Sequence, residues 1–256
     1  MHDLYKALKQ YPVFLHLGWL DVKQRYRRSF LGPWWISLTM LIFISAMSFI
    51  FSQIFHQPLR EYVPFFATGF ILWSFISTQL NESTDVLQNN RDLIKQIQLP
   101  YTLYLMKLLT KNGIILGHNL VVYLLVMLWF QQSPGWPLFL FLPGMALVLI
   151  NLYWISLLIA LLSTRFRDLS PIVHSCMQVL FFVTPISWTS QLLGDKSWVI
   201  EYNPFAYLIH LTRAPLLGMV PSWTCWTINC LFALGGLSLS LLTFHRVRPY
   251  IPFWIE

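Results

Sequence analysis

Apolar residues in this chain come in long uninterrupted runs, not in the alternation of a half-buried strand or the one-sided stripe of a surface helix. The informative positions are therefore those where charge stops. No Asp, Glu, Lys or Arg falls between Arg28 and Arg60, Glu61 and Glu82, Lys111 and Arg165, Asp168 and Asp195, or Arg213 and Arg246. A hydrocarbon layer of ~30 Å takes about 20 apolar residues as helix. The third gap is long enough for two spans and is divided at Gln131-Gln132-Ser133-Pro134-Gly135-Trp136-Pro137, where Pro and Gly read as a turn. The pattern predicts an all-α integral membrane fold with six transmembrane helices, near Trp34–Ile54, Val63–Leu80, Asn112–Phe130, Leu138–Ser163, Pro171–Gln191 and Trp223–Phe244. One membrane domain, residues 1–256, accounts for the whole pattern.

Three segments lie outside these spans. Residues 1–32 carry Leu4, Leu8, Tyr11, Leu15 and Leu17 in an imperfect stripe that Pro12 divides, as in a helix lying along the inner membrane surface. The segment ends on Lys23, Arg25, Arg27 and Arg28 just before Trp34 and Trp35. Basic residues and tryptophans at the mouth of a span are ordinary topology anchors. Such a cluster also suits an anionic lipid head group. Residues 81–111 hold the longest polar stretch on the same side. Here Ser83-Thr84-Asp85 offers a helix N-cap, Val86, Leu87, Leu93, Ile94 and Ile97 recur near helical spacing, and Pro100 ends the pattern. A short amphipathic helix with so wide an apolar face predicts a docking surface for another protein, with a helix simply resting on the membrane as the alternative. Residues 192–222 are too polar to cross and too apolar for a plain loop. Short re-entrant or periplasmic helices between spans five and six, hinged at Asn203-Pro204, satisfy both facts, since irregular backbone at membrane depth must be buried in protein; an amphipathic helix lying flat on the outer surface is the alternative.

Composition agrees. The chain is 56% hydrophobic and only 11% charged, against about 25% charged in soluble domains. The net charge of +7 is spread over many short segments, so it forms no nucleic-acid face, and no nucleic-acid partner is expected. Orientation explains the charge better. With the N-terminus inside, fourteen Lys and Arg fall on cytoplasmic segments and three (Arg60, Lys196, Arg213) on the other side, so both termini are expected in the cytoplasm. The N-terminus stays polar to Arg28, and the first apolar run is long enough to remain as an anchor, so no cleavable signal is expected. Cys176, Cys225 and Cys230 lie in apolar stretches without paired spacing, and the expectation is buried packing residues, not disulfides or zinc ligands.

Catalytic patterns are missing from the sequence. No glycine is followed by lysine, which excludes the G-x-x-x-x-G-K-[ST] phosphate loop. No G-x-S-x-G, H-E-x-x-H or paired acidic cluster occurs, and the seven His are scattered without metal spacing. No catalytic residues, metal or cofactor are expected. His118 beside Asn119, and His174, are the intramembrane polar groups that stand out, with an interhelical hydrogen bond as their ordinary role. The spans lack the buried charges of ion-coupled carriers, so energy for uphill movement would come from a partner.

Five short stretches then match one family in order. Arg25-Tyr-Arg-Arg-Ser-Phe-Leu-Gly-Pro-Trp34 resembles the opening motif of ABC-2 type permeases that export polysaccharides. Leu93-Ile94-Lys95 with Leu99-Pro100, Phe166-Arg167-Asp168, Thr184-Pro185-Ile186 and Asn203-Pro204-Phe205-Ala206-Tyr207 resemble four further motifs of that family. Leu99 departs from the pattern, which commonly has an aromatic there. The resemblance implies a homodimer with two copies of an ATP-binding ABC subunit in the bacterial inner membrane, exporting a lipid-linked polysaccharide such as O antigen, capsule or teichoic acid. It implies that the cytoplasmic loop, with Asp85, Asn90, Arg91, Leu93, Ile94, Lys95 and Pro100, is the ATPase-coupling element. Arg25, Arg27 and Arg28 would meet the lipid diphosphate. Asn203, Pro204, Phe205, Tyr207 and Arg213 would belong to a periplasmic gate. Trp34, Trp35, Trp73, Phe182 and Trp188 would line a channel, where rings can hold the apolar faces of sugars; for Trp34 a place at the membrane interface is the plainer reading. Two other readings stay open: an ABC-2 permease for a smaller lipid or drug, and a polytopic glycan-modifying enzyme.

Overall fold

The computed structural model describes residues 2–25, 27, 31–32, 34–189 and 198–255. Among them the order is α1 His2–Lys9, α2 Tyr11–Arg25, α3 Trp34–Ile54, α4 Leu59–Ser83, α5 Arg91–Gln96, α6 Tyr101–Trp129, a 3₁₀ turn Trp136–Leu140 leading into α7 Phe141–Arg165, α8 Leu169–Val183, α9 Trp198–Glu201, α10 Pro204–Leu216, α11 Trp223–Val247, and α12 Ile251–Trp254 after a second 3₁₀ turn. No strand occurs among the described residues. Five helical stretches are long and apolar enough to cross a membrane: α3, α4, α6, the turn with α7, and α11 with the segment that follows it.

Packing follows the logic of a membrane interior, where apolar contact with lipid costs nothing and helices associate through small and polar residues. Helix α3 shows the division. Ser37, Met40, Ile44, Ser48 and Ser52 form its buried stripe, while Ile42, Phe49, Ile50 and Ile54 point outward. The Ser37 hydroxyl donates to the His118 carbonyl of α6 at 2.7 Å. Helix α4 runs through the centre, buried along most of its length. Its Gln79 amide donates to Ser156 of α7 at 3.1 Å and accepts from Asn112 of α6 at 2.9 Å, all three side chains being buried. On the other side Asn229 of α11 donates to the Tyr207 carbonyl of α10, and its own carbonyl accepts from Asn151 of α7.

Several boundaries differ from the sequence expectation. Helix α6 begins at Tyr101, not near Asn112, because Lys107 and Lys111 are accommodated by ion pairs with Asp21 at 3.0 Å and Glu82 at 2.7 Å. At 29 residues it is about 43 Å long, so it extends beyond the hydrocarbon. Helix α4 continues through Ser83, and Thr84 is its C-cap, so Ser83-Thr84-Asp85 caps no new helix. The following helix starts only at Arg91, with Asn90 at its N-cap position. Helix α8 stops at Val183, since Thr184 is extended before Pro185 and proline disfavours helical backbone in the residue preceding it. Its 15 residues reach about 22 Å, too short to cross as a single straight helix. The remainder of the expected fifth span to Gln191, and the start of the 192–222 segment, fall partly outside the described residues. At the N-terminus the break expected near Pro12 occurs at Gln10, and Pro12 sits in the first turn of α2, where its missing N–H would have no helical partner anyway.

Candidate functional site

Where α8 ends, the backbone unwinds against α4 and α10, and side chains from both helices satisfy it. Arg213 of α10 is 6% exposed. Its guanidinium donates to the Pro185 carbonyl at 2.7 Å, to the Phe65 carbonyl of α4 at 2.7 Å, and to the Ile186 carbonyl at 3.5 Å. It lies 3.3 Å from the centre of the Phe65 ring. The Tyr62 hydroxyl donates to the Ser187 carbonyl at 2.6 Å. Asn203 caps α10 by accepting from the Phe205 N–H at 2.9 Å, and its amide donates to the Thr184 hydroxyl at 2.9 Å. Gly69 makes the approach possible: a Cβ there would stand 3.2 Å from Arg213 Cζ and 3.2 Å from the Ile186 oxygen. The Thr184-Pro185-Ile186 and Asn203-Pro204-Phe205 stretches, 19 positions apart at the Asn203–Thr184 bond, thus form one buried clamp. Phe205 and Tyr207 are half-buried in the same core.

Beside the clamp an aromatic ladder climbs α4. Tyr62, Phe66 and Phe70 stack one turn apart, with centroids 6.0 and 5.6 Å apart, and Phe43 of α3 stacks on Phe70 at 4.5 Å. Phe181 of α8 meets Phe70 and Trp73 at 6.2 and 6.1 Å. Phe43, Phe70, Trp73 and Phe181 border a groove of ≈ 380 Å³ that helices α4 and α8 also line with the polar Ser74, Ser77, Thr78 and Gln178. Of the five expected lining residues, Trp73 and Phe182 border this groove. Trp73 is itself 4% exposed and largely enclosed by its own chain. Trp34 and Trp35 sit exposed at the start of α3, and the Trp188 indole donates to the Phe182 carbonyl. Phe43, Phe70 and Phe181 were not singled out from sequence. A phenylalanine in an apolar run carries no signal until the neighbouring helices are known.

The loop between α4 and α6 is ordered from inside. Val86 and Leu87 are 4% and 3% exposed, packed with Tyr104, Leu105, Leu157 and Phe244 and with Ile251 and Ile255 of the C-terminal segment. Leu93 and Ile94 rest on the same cluster. The apolar stripe expected to face another protein is therefore mostly consumed within the chain, because α12 folds back over it. Gln88 donates to the Trp254 carbonyl at 3.3 Å. What the loop presents outward is Asp85, Asn89, Asp92, Lys95, Gln96 and Ile97, while Pro100 is buried and Arg91 half-buried. Asn90 is held between the Val86 carbonyl at 2.7 Å and the Lys107 ammonium at 3.0 Å.

Arg25 and Arg27 are exposed at and just beyond the end of α2, and Arg28 lies outside the described residues. His118 bonds the Ile114 carbonyl of its own helix at 2.9 Å, and among the described residues its ring makes no hydrogen bond to another helix. His174 faces outward on α8. Cys225 is buried and donates to the Tyr207 carbonyl, but Cys176 and Cys230 are exposed on outward faces, contrary to the packing role expected of all three. No group of His, Cys, Asp or Glu suited to a metal occurs among the described residues.

The family model for ABC-2 type transporters matches residues 12–217. The chain belongs to that family. It is thus a transport permease, and ATP hydrolysis resides on a partner ABC subunit. Among its relatives is an O-antigen export system permease protein RfbA of Klebsiella pneumoniae, 26% identical over 191 residues, 74% of each chain. Another is the protein of the same description from Myxococcus xanthus, 24% identical over 213 residues, 82% of each chain. The match spans α2 to the end of α10, so the loop between α4 and α6, the aromatic groove and the clamp all lie inside it, and α11 and α12 beyond it.

Proposed function

We propose that this ABC-2 permease exports a lipid-linked polysaccharide, O antigen being the first candidate, across a bacterial inner membrane. The observation that carries the reading is the match over about three quarters of the chain to permeases described as O-antigen exporters. The aromatic groove supports it. Sugar rings offer apolar C–H faces to Phe43, Phe70 and Phe181, and their hydroxyls suit the Ser, Thr and Gln side chains that line the same groove. Such a surface holds a glycan weakly at many points and lets it slide.

In this reading the protein works as a homodimer with two ATP-binding subunits, and both termini face the cytoplasm. Six spans are completed by α8 together with the unwound segment after it, closed by the Arg213 clamp as part of a periplasmic gate. Helix α8 buries only Met177 within its own chain, which suits an outer face covered by a second copy. The loop around α5 seats on the ATP-binding subunit through Asp92, Lys95 and Ile97, with Leu93 and Ile94 anchoring it from behind. Arg25, Arg27 and Arg28 receive the lipid diphosphate. The test is reconstitution with the ATP-binding subunit in vesicles supplied with lipid-linked polysaccharide. ATP-dependent appearance of the glycan on the far side supports the reading. A complex that hydrolyses ATP and moves a small amphiphile but no glycan refutes the cargo.

A further inference from the structure

Lys107 stands in the second turn of α6, its side chain 13% exposed, and its ammonium reaches two other elements at once. It pairs with the Asp21 carboxylate of α2 at 3.0 Å and donates to the Asn90 side-chain oxygen at 3.0 Å, immediately before α5. The neighbouring Lys111 joins Glu82 of α4 at 2.7 Å. Asn90 in turn holds the Val86 carbonyl through its amide at 2.7 Å, so the lysine grips the rigid end of the loop, not its tip. Helix α2 is pressed to α6 at the same level. A Cβ on Gly18 would lie 2.8 Å from Thr110 Cβ and 3.0 Å from the Lys107 carbonyl oxygen. These polar groups border a cleft of ≈ 350 Å³ that also takes in Asn81, Asp85 and His174.

A half-buried ion pair is weak evidence for stability, since desolvation offsets much of the attraction. Its better-attested use is to fix one geometry, and here the geometry joins the loop to the helix that ends in Lys23 and Arg25. We propose that Lys107 is a positioning residue that carries displacement of the cytoplasmic loop to α2, so that the ATP-driven stroke also moves the basic segment where substrate is received. This rests on the reading that the loop docks on the ATP-binding subunit.

The test uses the complex in nanodiscs, in a cysteine-free background, with spin labels at Asn89, exposed on the loop and outside its docking residues, and at Gln24 on α2, each measured against a label at Ser133. In the parent both labels shift when ATP is trapped. In Lys107→Met the Asn89 shift persists, the Gln24 shift is lost, and export falls about tenfold with ATP hydrolysis within about twofold, in the range of coupling free energies between linked sites. Lys107→Arg restores both. Asn90→Leu, which leaves the Asp21 pair intact, gives the same loss and guards against a misfolded Lys107 variant. Persistence of the Gln24 shift in Lys107→Met and Asn90→Leu overturns the proposal. An Asn89 label that never responds to ATP overturns the docking reading, and the proposal with it.

Discussion

Replacing Arg213 by Met keeps a long side chain but removes the guanidinium that holds the unwound end of α8. Two hydrogen bonds of 2.7 Å are lost, to Pro185 and Phe65. The Phe65 carbonyl sits inside α4 and retains its helical N–H, so the Pro185 carbonyl bears most of the damage. Hydrogen bonds from charged donors contribute about 1.5–3 kcal/mol each, and a carbonyl left unpaired away from water costs a further 1–3 kcal/mol, roughly. Methionine keeps part of the packing against Phe65, and removing a buried guanidinium relieves its desolvation, which offsets part of the loss and leaves a net of about 3 kcal/mol. For a chain of this size 1 kcal/mol moves Tm by about 2–4 °C, so Arg213→Met is expected to unfold about 6–12 °C below the parent. Arg213→Lys, with a point charge that cannot span both carbonyls, is expected to recover about half of this. The assay is thermal unfolding of the purified protein in one detergent, followed by helical circular dichroism. A Tm for Arg213→Met within about 2 °C of the parent refutes the clamp as a structural element.

Gly69→Ala is expected to lower Tm by a smaller amount and to lose part of its effect in the Arg213→Met background, because the nearest atoms to the added Cβ are the guanidinium and the Ile186 oxygen, 3.2 Å from each, and only the first is removed; equal effects in both backgrounds would separate the two residues. Gln79→Leu breaks the bonds to Ser156 and Asn112 and is expected to cost about 1 kcal/mol, measured in the same melt, since buried interhelical hydrogen bonds in membranes are modest. Lys95→Glu combined with Ile97→Asp alters only the outward face of the loop. It is expected to abolish co-purification with the ATP-binding subunit at unchanged Tm, and an intact complex would exclude that face from docking. Cysteines at Asn89 and Ser133 are expected to react with an impermeant thiol reagent from opposite sides, Asn89 only from the cytoplasm; reaction of both from one side would overturn the orientation.

The spans were legible to the extent that charge marks the edge of the membrane. Helix α3 begins at Trp34 and ends at Ile54 as the gap between Arg28 and Arg60 predicts, because neither edge carries a charge that a partner could neutralise. The rule fails at α6, where Asp21 and Glu82 allow two lysines inside a continuous helix, and these partners are distant in sequence. It fails differently at α8. Charge is absent to Asp195, but Pro185 ends the helix at Val183, and local backbone chemistry overrides hydropathy. Val86 and Leu87 gave a true signal of a covered face. Periodicity reports that a face is covered, not by what, and the cover is the chain's own C-terminal segment. Arg213 was named only as a gate residue implied by the family resemblance, and its work was not legible, since its partners are backbone carbonyls that no side-chain pattern announces.

The central claim is that this permease, driven by a separate ATP-binding subunit, moves a lipid-linked glycan along an aromatic and polar groove. Its most direct measurement is glycan transfer in vesicles containing the complex, comparing the parent with Phe70→Ala and Phe181→Ala. The expected result is ATP-dependent transfer in the parent and slowed transfer in both variants, with ATP hydrolysis retained. Hydrolysis without any glycan transfer in the parent, or transfer unaffected in both variants, would contradict the account.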